Sequence, residues 1–186
     1  MGGVRLYRML LCVALLASGC TTSRYKPAPY KPAQDRFGAI ALPLGAPVYV
    51  CPVIDSLTQH DRKQLAPDFT PWTFVTEAIE AELKVSGAAP RRPDFAFGPS
   101  FESLRKEIRE RAKPEDRIAY LGSDLLMLSP GLWILDAELI SPRGETVFGK
   151  RALFATQGHL KIDEQQTLHM ILRQILADPR FKAALQ

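Results

Sequence analysis

Nine consecutive apolar residues, Met9 to Ala17, stand behind Arg5 and Arg8 at the start of the chain, and this arrangement decides which residues are available to fold. A basic start, a short apolar run and a small-residue exit mark a secretion signal, which is removed before a mature fold forms. The run is too short to cross a bilayer, because a spanning helix needs about 20 apolar residues. Of the 186 residues, 1–19 are therefore read as leader and 20–36 as a proline-rich tether, leaving 37–186 as the folding body. That body is about 150 residues long, the size of one domain, and a second independent domain is not expected. A domain of this length buries about two thirds of its unfolded surface, so it builds a core without disulfides or metal. A composition of 46% hydrophobic and 24% charged residues agrees.

The sequence Leu16-Ala17-Ser18-Gly19-Cys20 closes the leader and resembles the lipobox of bacterial envelope lipoproteins. The resemblance implies that the Cys20 sulfur receives a diacylglycerol, that the chain is cut before it, and that the new amino terminus is acylated as well. One acyl chain holds a protein only marginally, whereas two or more make a durable anchor. Cys20 is then the lipidation site, carrying palmitate-type chains. Thr21 rather than an aspartate follows it, as in lipoproteins passed on to the outer membrane, which places the body in the periplasm facing inward. Ala17 and Gly19 also fit ordinary signal cleavage, which would release a soluble protein with a free Cys20.

The formal charge of +4 loses most of its meaning when it is divided along the chain. Arg5 and Arg8 belong to the leader, and Arg24, Lys26, Lys31 and Arg36 stand against Asp35 in the tether. The body keeps 18 basic and 19 acidic residues, a net −1. Binding to nucleic acid needs a concentrated positive surface, and no basic stripe supplies one, so no nucleic-acid partner is expected. Cysteine usage fits an oxidising compartment: Cys12 leaves with the signal, Cys20 is acylated, and Cys51 has no intramolecular partner. Cys51 sits in the strand-like run Val48-Tyr49-Val50-Cys51-Pro52-Val53 with no local His or Lys. It reads as a small buried hydrophobe, not a nucleophile.

Within the tether, Tyr25-Lys26-Pro27-Ala28 returns as Tyr30-Lys31-Pro32-Ala33. Pro27, Pro29 and Pro32 exclude helix and interior strand, leaving polyproline II. A stretch of this kind is a stiff spacer able to hold the body on the order of 45 Å from a membrane.

The body reads as a mixed α/β (α+β) domain, with helices packed on a mixed sheet that ends in a hairpin. A strand begins near Val48, and 54–70 is a polar loop ending at Thr70-Pro71, an N-cap and first helical position. Trp72, Val75, Ala78, Ile79 and Leu83 form the apolar stripe of a helix stopped by Gly87, with Glu77, Glu80 and Glu82 on its other sides. Residues 88–99 read as a loop. Ser100 caps a second helix with stripe Phe101, Leu104 and Ile108 and i, i+4 pairs Glu102–Lys106 and Glu107–Arg111, ended by Pro114. Strand material follows at 118–121 and 125–128. A hairpin joins 132–140 to 146–156 around Ser141-Pro142-Arg143-Gly144. Trp133, Leu135, Ala137 and Leu139 match Phe148, Ala152 and Phe154, unless a bulge at Gly144 shifts the pairing by one. Asp163, with Gln166 as capping-box partner, starts a last helix with Leu168, Ile171, Leu172, Ile175 and Leu176 inside, ended by Pro179. Residues 180–185 have room for one more helical turn. About three helices therefore pack on the sheet.

Chemistry is not signalled. His60, His159 and His169 are far apart and lack zinc spacing, so no metal is expected. His60 with Asp55, Asp61 and Asp68 is the one cluster suited to a cation, and it reads as a solvated acidic loop. His169 falls on the final helix, where packing or exposure is the ordinary outcome. Asp136 and Glu138 share one face of a strand, where two carboxylates could divide acid and base roles. Lys150 or Arg151 lies across the hairpin in either register, so cross-strand ion pairs on a charged solvent face account for them. There is no glycine-rich phosphate loop and no Gly-x-Ser-x-Gly elbow, and Ser100 after Gly98-Pro99 reads as a cap. Neither a catalytic residue nor a cofactor is expected.

From Ile118 to Gly158, Tyr120-Leu121-Gly122-Ser123, Leu135-Asp136-Ala137-Glu138-Leu139 and Gly144-Glu145-Thr146-Val147 resemble a segment of two families. These are the curli-secretion lipoproteins and the lipoprotein activators of penicillin-binding proteins. The resemblance implies a mixed α/β adaptor or secretion component and carries over no functional residue. The expected protein is an outer-membrane-anchored periplasmic lipoprotein, not an enzyme. It would act as a binding or assembly factor for a cell-envelope complex, with a membrane attachment through Cys20 and an envelope protein as partner. The alternatives are an auxiliary lipoprotein of lipid or solute transport and a cell-envelope hydrolase.

Overall fold

A computed structural model describes residues 31–32, 40–56, 63, 70–113, 118–129, 131–155 and 162–186, with the side chains of 162–164 outside that set. Cys20, His60, Asp61, Asp68, Pro114 and His159, and the cap expected from Asp163, lie outside what is described. The elements in chain order are β1 (Pro47–Val50), β2 (Ile54–Asp55), α1 (Pro71–Val85), β3 (Ala89–Arg91), α2 (Phe101–Arg111), β4 (Ala119–Ser129), β5 (Leu132–Ile140), β6 (Thr146–Ala155), α3 (Ile162–Leu176) and α4 (Pro179–Ala183). They form a single α/β domain with one mixed sheet of six strands, ordered β3-β1-β4-β5-β6 with β2 beside β4. Pairing is parallel for β1 with β3 and β4 and for β2 with β4, and antiparallel through β4, β5 and β6.

The two faces of the sheet are covered unequally. Strand alternation sends Leu121, Leu125, Trp133, Leu135, Ala137, Leu139, Phe148 and Phe154 into one continuous core against α1, α3 and α4. α1 contributes Phe74, Val75, Ala78, Ile79 and Leu83, and α3 contributes Leu168, Ile171, Leu172, Ile175 and Leu176. On the opposite face a smaller cluster joins Leu104 and Ile108 of α2 to Cys51, Tyr120 and Ile140. Gly122 permits this approach, since a Cβ there would lie 2.6 Å from Leu104 Cδ2.

Several expectations need correction. Ile54 and Asp55, read as loop, pair with Asp124 and Leu125, and Ala89–Arg91, also read as loop, is a parallel edge strand on β1. The two strand pieces at 118–121 and 125–128 are one strand, continuous through Gly122, Ser123 and Asp124. Trp72 is only partly buried, and Phe74 takes its place in the core. Glu82, placed on the outside of its helix, is buried. Thr70 makes no side-chain cap, and its carbonyl instead accepts from the Thr73 and Phe74 amides. Lys106 approaches Glu110 rather than Glu102, while Arg111 does reach Glu107, at 2.8 Å. Among the described residues three long helices are followed by a fourth, the short turn after Pro179 for which the sequence left room.

The second helix starts as read, with the Ser103 amide donating to Ser100 Oγ at 3.1 Å. The hairpin keeps the apolar pairing, Trp133 opposite Phe154 and Leu139 opposite Phe148, and a bulge near the turn absorbs the extra residue without moving the core.

Candidate functional site

Beyond α2, among the described residues, the second face of the sheet is open. α2 reaches as far as Glu138, whose Oε2 accepts from Arg105 Nη1 at 2.6 Å and from Thr146 Oγ1 at 2.8 Å. The next row across the strands is Asp124, Asp136 and Arg151, and the row after it is Leu126, Ile134 and Leu153. Directly opposed side chains stand about 5 Å apart, so each row is a continuous strip. Leu126 and Ile134 are half-buried, Leu153 is 59% exposed, and Leu128, the extra residue of a bulge, is 57% exposed. An in-register apolar strip beside a polar one has the anatomy of a protein interface core and its rim.

The polar row is held by geometry. Arg151 donates from Nε and Nη2 to the two oxygens of Asp136, each at 2.7 Å, a bidentate pair. Asp124 is held differently: burial pushes its carboxyl up, opposed by the Ser56 hydroxyl, with Asp136 and Asp55 adding to the rise. Asp136 is therefore paired across the hairpin, as expected. Glu138 is not, because Gly149 lies opposite it and its cation comes from α2. Lys150 faces the other way, donating to the Gln174 carbonyl at 3.1 Å and approaching Asp178 at 3.5 Å. Neither acid of the expected pair faces a pocket or a nucleophile among the described residues, and both are tied to arginines.

A second polar cluster lies in the main core. His169 Nδ1 of α3 meets Glu82 Oε1 of α1 at 2.5 Å, with both side chains almost wholly enclosed. Gln165 and Arg173, one turn before and one turn after His169, are also buried. A cavity of about 10 Å³ beside Glu82, lined by Leu121, Leu135 and Leu172 among others, has room for one water. At the outer side of α3 an open groove of about 250 Å³ is lined by Ile40, Met170, Arg173, Gln174 and Ala177. Cys51 is enclosed between β1 and α2, where burial pushes its thiol up to about 12, and it remains neutral and unreactive there.

Among the described residues no group of three or more His, Cys, Asp or Glu is arranged to hold a metal ion, and no helix is long and apolar enough to cross a membrane. Glu82, Asp124 and the Leu126–Ile134–Leu153 row were not singled out from sequence. The row did leave a signal: Leu125 to Leu128 and Leu132 to Leu135 are apolar at every position, a pattern of strands that seek cover on both faces. No protein-family model matches the chain, and no curated protein is detectably similar to it in sequence.

Proposed function

We propose that this protein is a lipoprotein of the bacterial outer membrane, anchored through Cys20, whose periplasmic domain docks another envelope protein as a noncatalytic binding or assembly factor. The observation that carries the docking role is the open apolar row of Leu126, Ile134 and Leu153 beside the Asp136–Arg151 pair. α2 covers the same face two rows away by packing an amphipathic helix and setting Arg105 on Glu138. A partner segment extending that cover would bury the leucines and surround the ion pair. The anchor rests on the sequence Leu16-Ala17-Ser18-Gly19-Cys20 behind its apolar run.

The open groove on α3 is the feature that would favour a lipid or solute carrier. At about 250 Å³ it falls below the size range of small-molecule pockets, which supports the docking reading over the carrier one. A photo-crosslinking residue at Leu153 tests the docking role in intact cells. Capture of a discrete envelope protein, lost in the Ile134→Lys variant, supports it; recovery of lipid or cell-wall polymer alone sinks it. For the anchor, Cys20→Ser is expected to abolish palmitate labelling and to move the protein out of the membrane fraction.

A further inference from the structure

The chain enters the domain through a tight turn that displays a leucine. Pro43-Leu44-Gly45-Ala46 closes with the Ala46 amide donating to the Pro43 carbonyl at 3.0 Å, and Gly45 at φ 72 occupies the third position, as a type II turn requires. The turn is strapped to the end of α1: the Leu42 amide donates to Ser86 and the Gly45 amide to Gly87, each at 2.8 Å. Leu44 at the tip is 94% exposed, and Val85, at the end of α1, is 61% exposed. Single exposed apolar residues are common on protein surfaces. A leucine held almost fully out of the protein by a rigid turn is a different case, because nothing in the turn needs that side chain.

The exposed charges at this end of the sheet are of both signs, with basic residues in the majority. β1 starts here and β5 ends here, and the C-terminal turns of α1 and α2 carry exposed basic residues. Lys84, Arg109 and Arg143 are exposed at this end, against the exposed Glu110 and Glu145. Ile40, the residue from which the chain leads back toward Cys20, packs against the C-terminal half of α3.

We infer that Leu44, with Val85 and Lys84 of the adjoining α1 end, is a membrane contact by which the tethered domain rests on the phospholipid bilayer. This inference depends on the Cys20 anchor proposed above. Two apolar side chains are too few for a protein interface, which takes about 800 Å² from each partner. They suffice for a lipid contact once the anchor makes docking intramolecular. The stretch from Cys20 to Ile40 spans at most about 70 Å, and a short tether gives an effective concentration on the order of millimolar. Each basic residue near an anionic leaflet adds to the attraction.

Environment-sensitive probes on single cysteines test the contact, because Cys51 is buried with its thiol raised to about 12 and Cys20 is acylated. The lipidated full-length mature chain is reconstituted into vesicles of phosphatidylethanolamine and phosphatidylglycerol. The probe is placed at Leu44→Cys or, at the opposite end of the sheet, at Ser129→Cys. The expected result is quenching of the probe at 44 by nitroxide-bearing acyl chains and none at 129. With the probe moved to Val85→Cys, Leu44→Asp should lower the ratio of docked to free domain roughly tenfold. Protein that floats with the vesicles while both probes stay in water overturns the contact and leaves the anchor standing. Protein that fails to float overturns both. A probe at 44 that is shielded in cells but not on pure lipid assigns the turn to a protein and overturns the lipid contact.

Discussion

Glu82 and His169 are where α1 and α3 are matched to each other at a single residue pair, and their placement makes the match expensive to break. A buried polar group that loses a hydrogen-bond partner costs about 1–3 kcal/mol, whereas replacing both members by apolar residues of similar shape is close to neutral. His169→Leu alone is therefore expected to lower stability by about 1–3 kcal/mol, and adding Glu82→Leu to restore most of it, as read by urea unfolding in a double-mutant cycle. Equal losses in the single and double variants would show that the pair contributes nothing beyond packing. Cys51 gives a second prediction at this scale, with a definite sign. Its thiol ionises near 9.0 when unfolded and at about 12 in the fold, so above pH 9 the unfolded chain releases a proton that the native state retains. Stability is then fully present below pH 9 and falls as the pH rises from about 9 to 12. The gap between wild type and Cys51→Ala should shrink over that interval, and thiol reagents should label Cys51 only on unfolding.

The element that covers part of the second face is α2, and Gly144 fixes how closely the β5–β6 turn approaches it. Gly144 sits at φ 76, and a Cβ there would come within 2.7 Å of the Arg105 carbonyl oxygen and 3.2 Å of Arg109 Nε. Backbone cannot move aside as a side chain can. Gly144→Ala therefore combines left-handed strain with a clash and should cost roughly 2 kcal/mol, while Gly149→Ala, whose Cβ would meet only Thr146 Cγ2 at 4.0 Å, should cost well under half of that. Thermal unfolding of the two variants decides it. The same elements show what could be read in advance. α2 and the β5–β6 hairpin were legible because their apolar positions recur at the helical and strand periods and their turn residues sit at the ends. β2 and β3 were not, because two or three residues such as Ala89-Pro90-Arg91 carry no period, and their pairing exists only once β1 and β4 are in place. The join of β4 through Gly122-Ser123-Asp124 looked like a break, since the reason for that glycine is Leu104 on a distant helix. Glu82 failed for a similar reason: a glutamate among helical surface positions reads as solvated until a histidine 87 residues later arrives beside it.

At the scale of the whole molecule the domain is polarised. The end that displays Leu44 is the one where Ile40 enters the domain, and the apolar row of Leu126, Ile134 and Leu153 lies toward the opposite end of the same strands. Such a layout suits a tethered adaptor, with one end for the surface it is attached to and the other for what it holds. The Leu16-Ala17-Ser18-Gly19-Cys20 motif led to the proposed compartment but carried no trace of this polarity, which depends on strand direction. If the two ends work independently, substitutions at them should separate. Ile134→Lys changes a half-buried position on an open face and should shift stability by no more than about 1 kcal/mol, yet it places a charge in the middle of the apolar row. Crosslinking from position 153 to a partner should drop, while lipid quenching of a probe at 44 stays unchanged. Leu44→Asp should do the reverse, weakening the bilayer contact and leaving the crosslink in place. Distant sites without shared partners contribute additively, so the double variant should show both losses at the size of the singles. A crosslink that disappears in Leu44→Asp would instead mean that partner capture needs the domain to be seated on the membrane first. The two ends would then act in sequence, and the order could be read from which substitution masks the other.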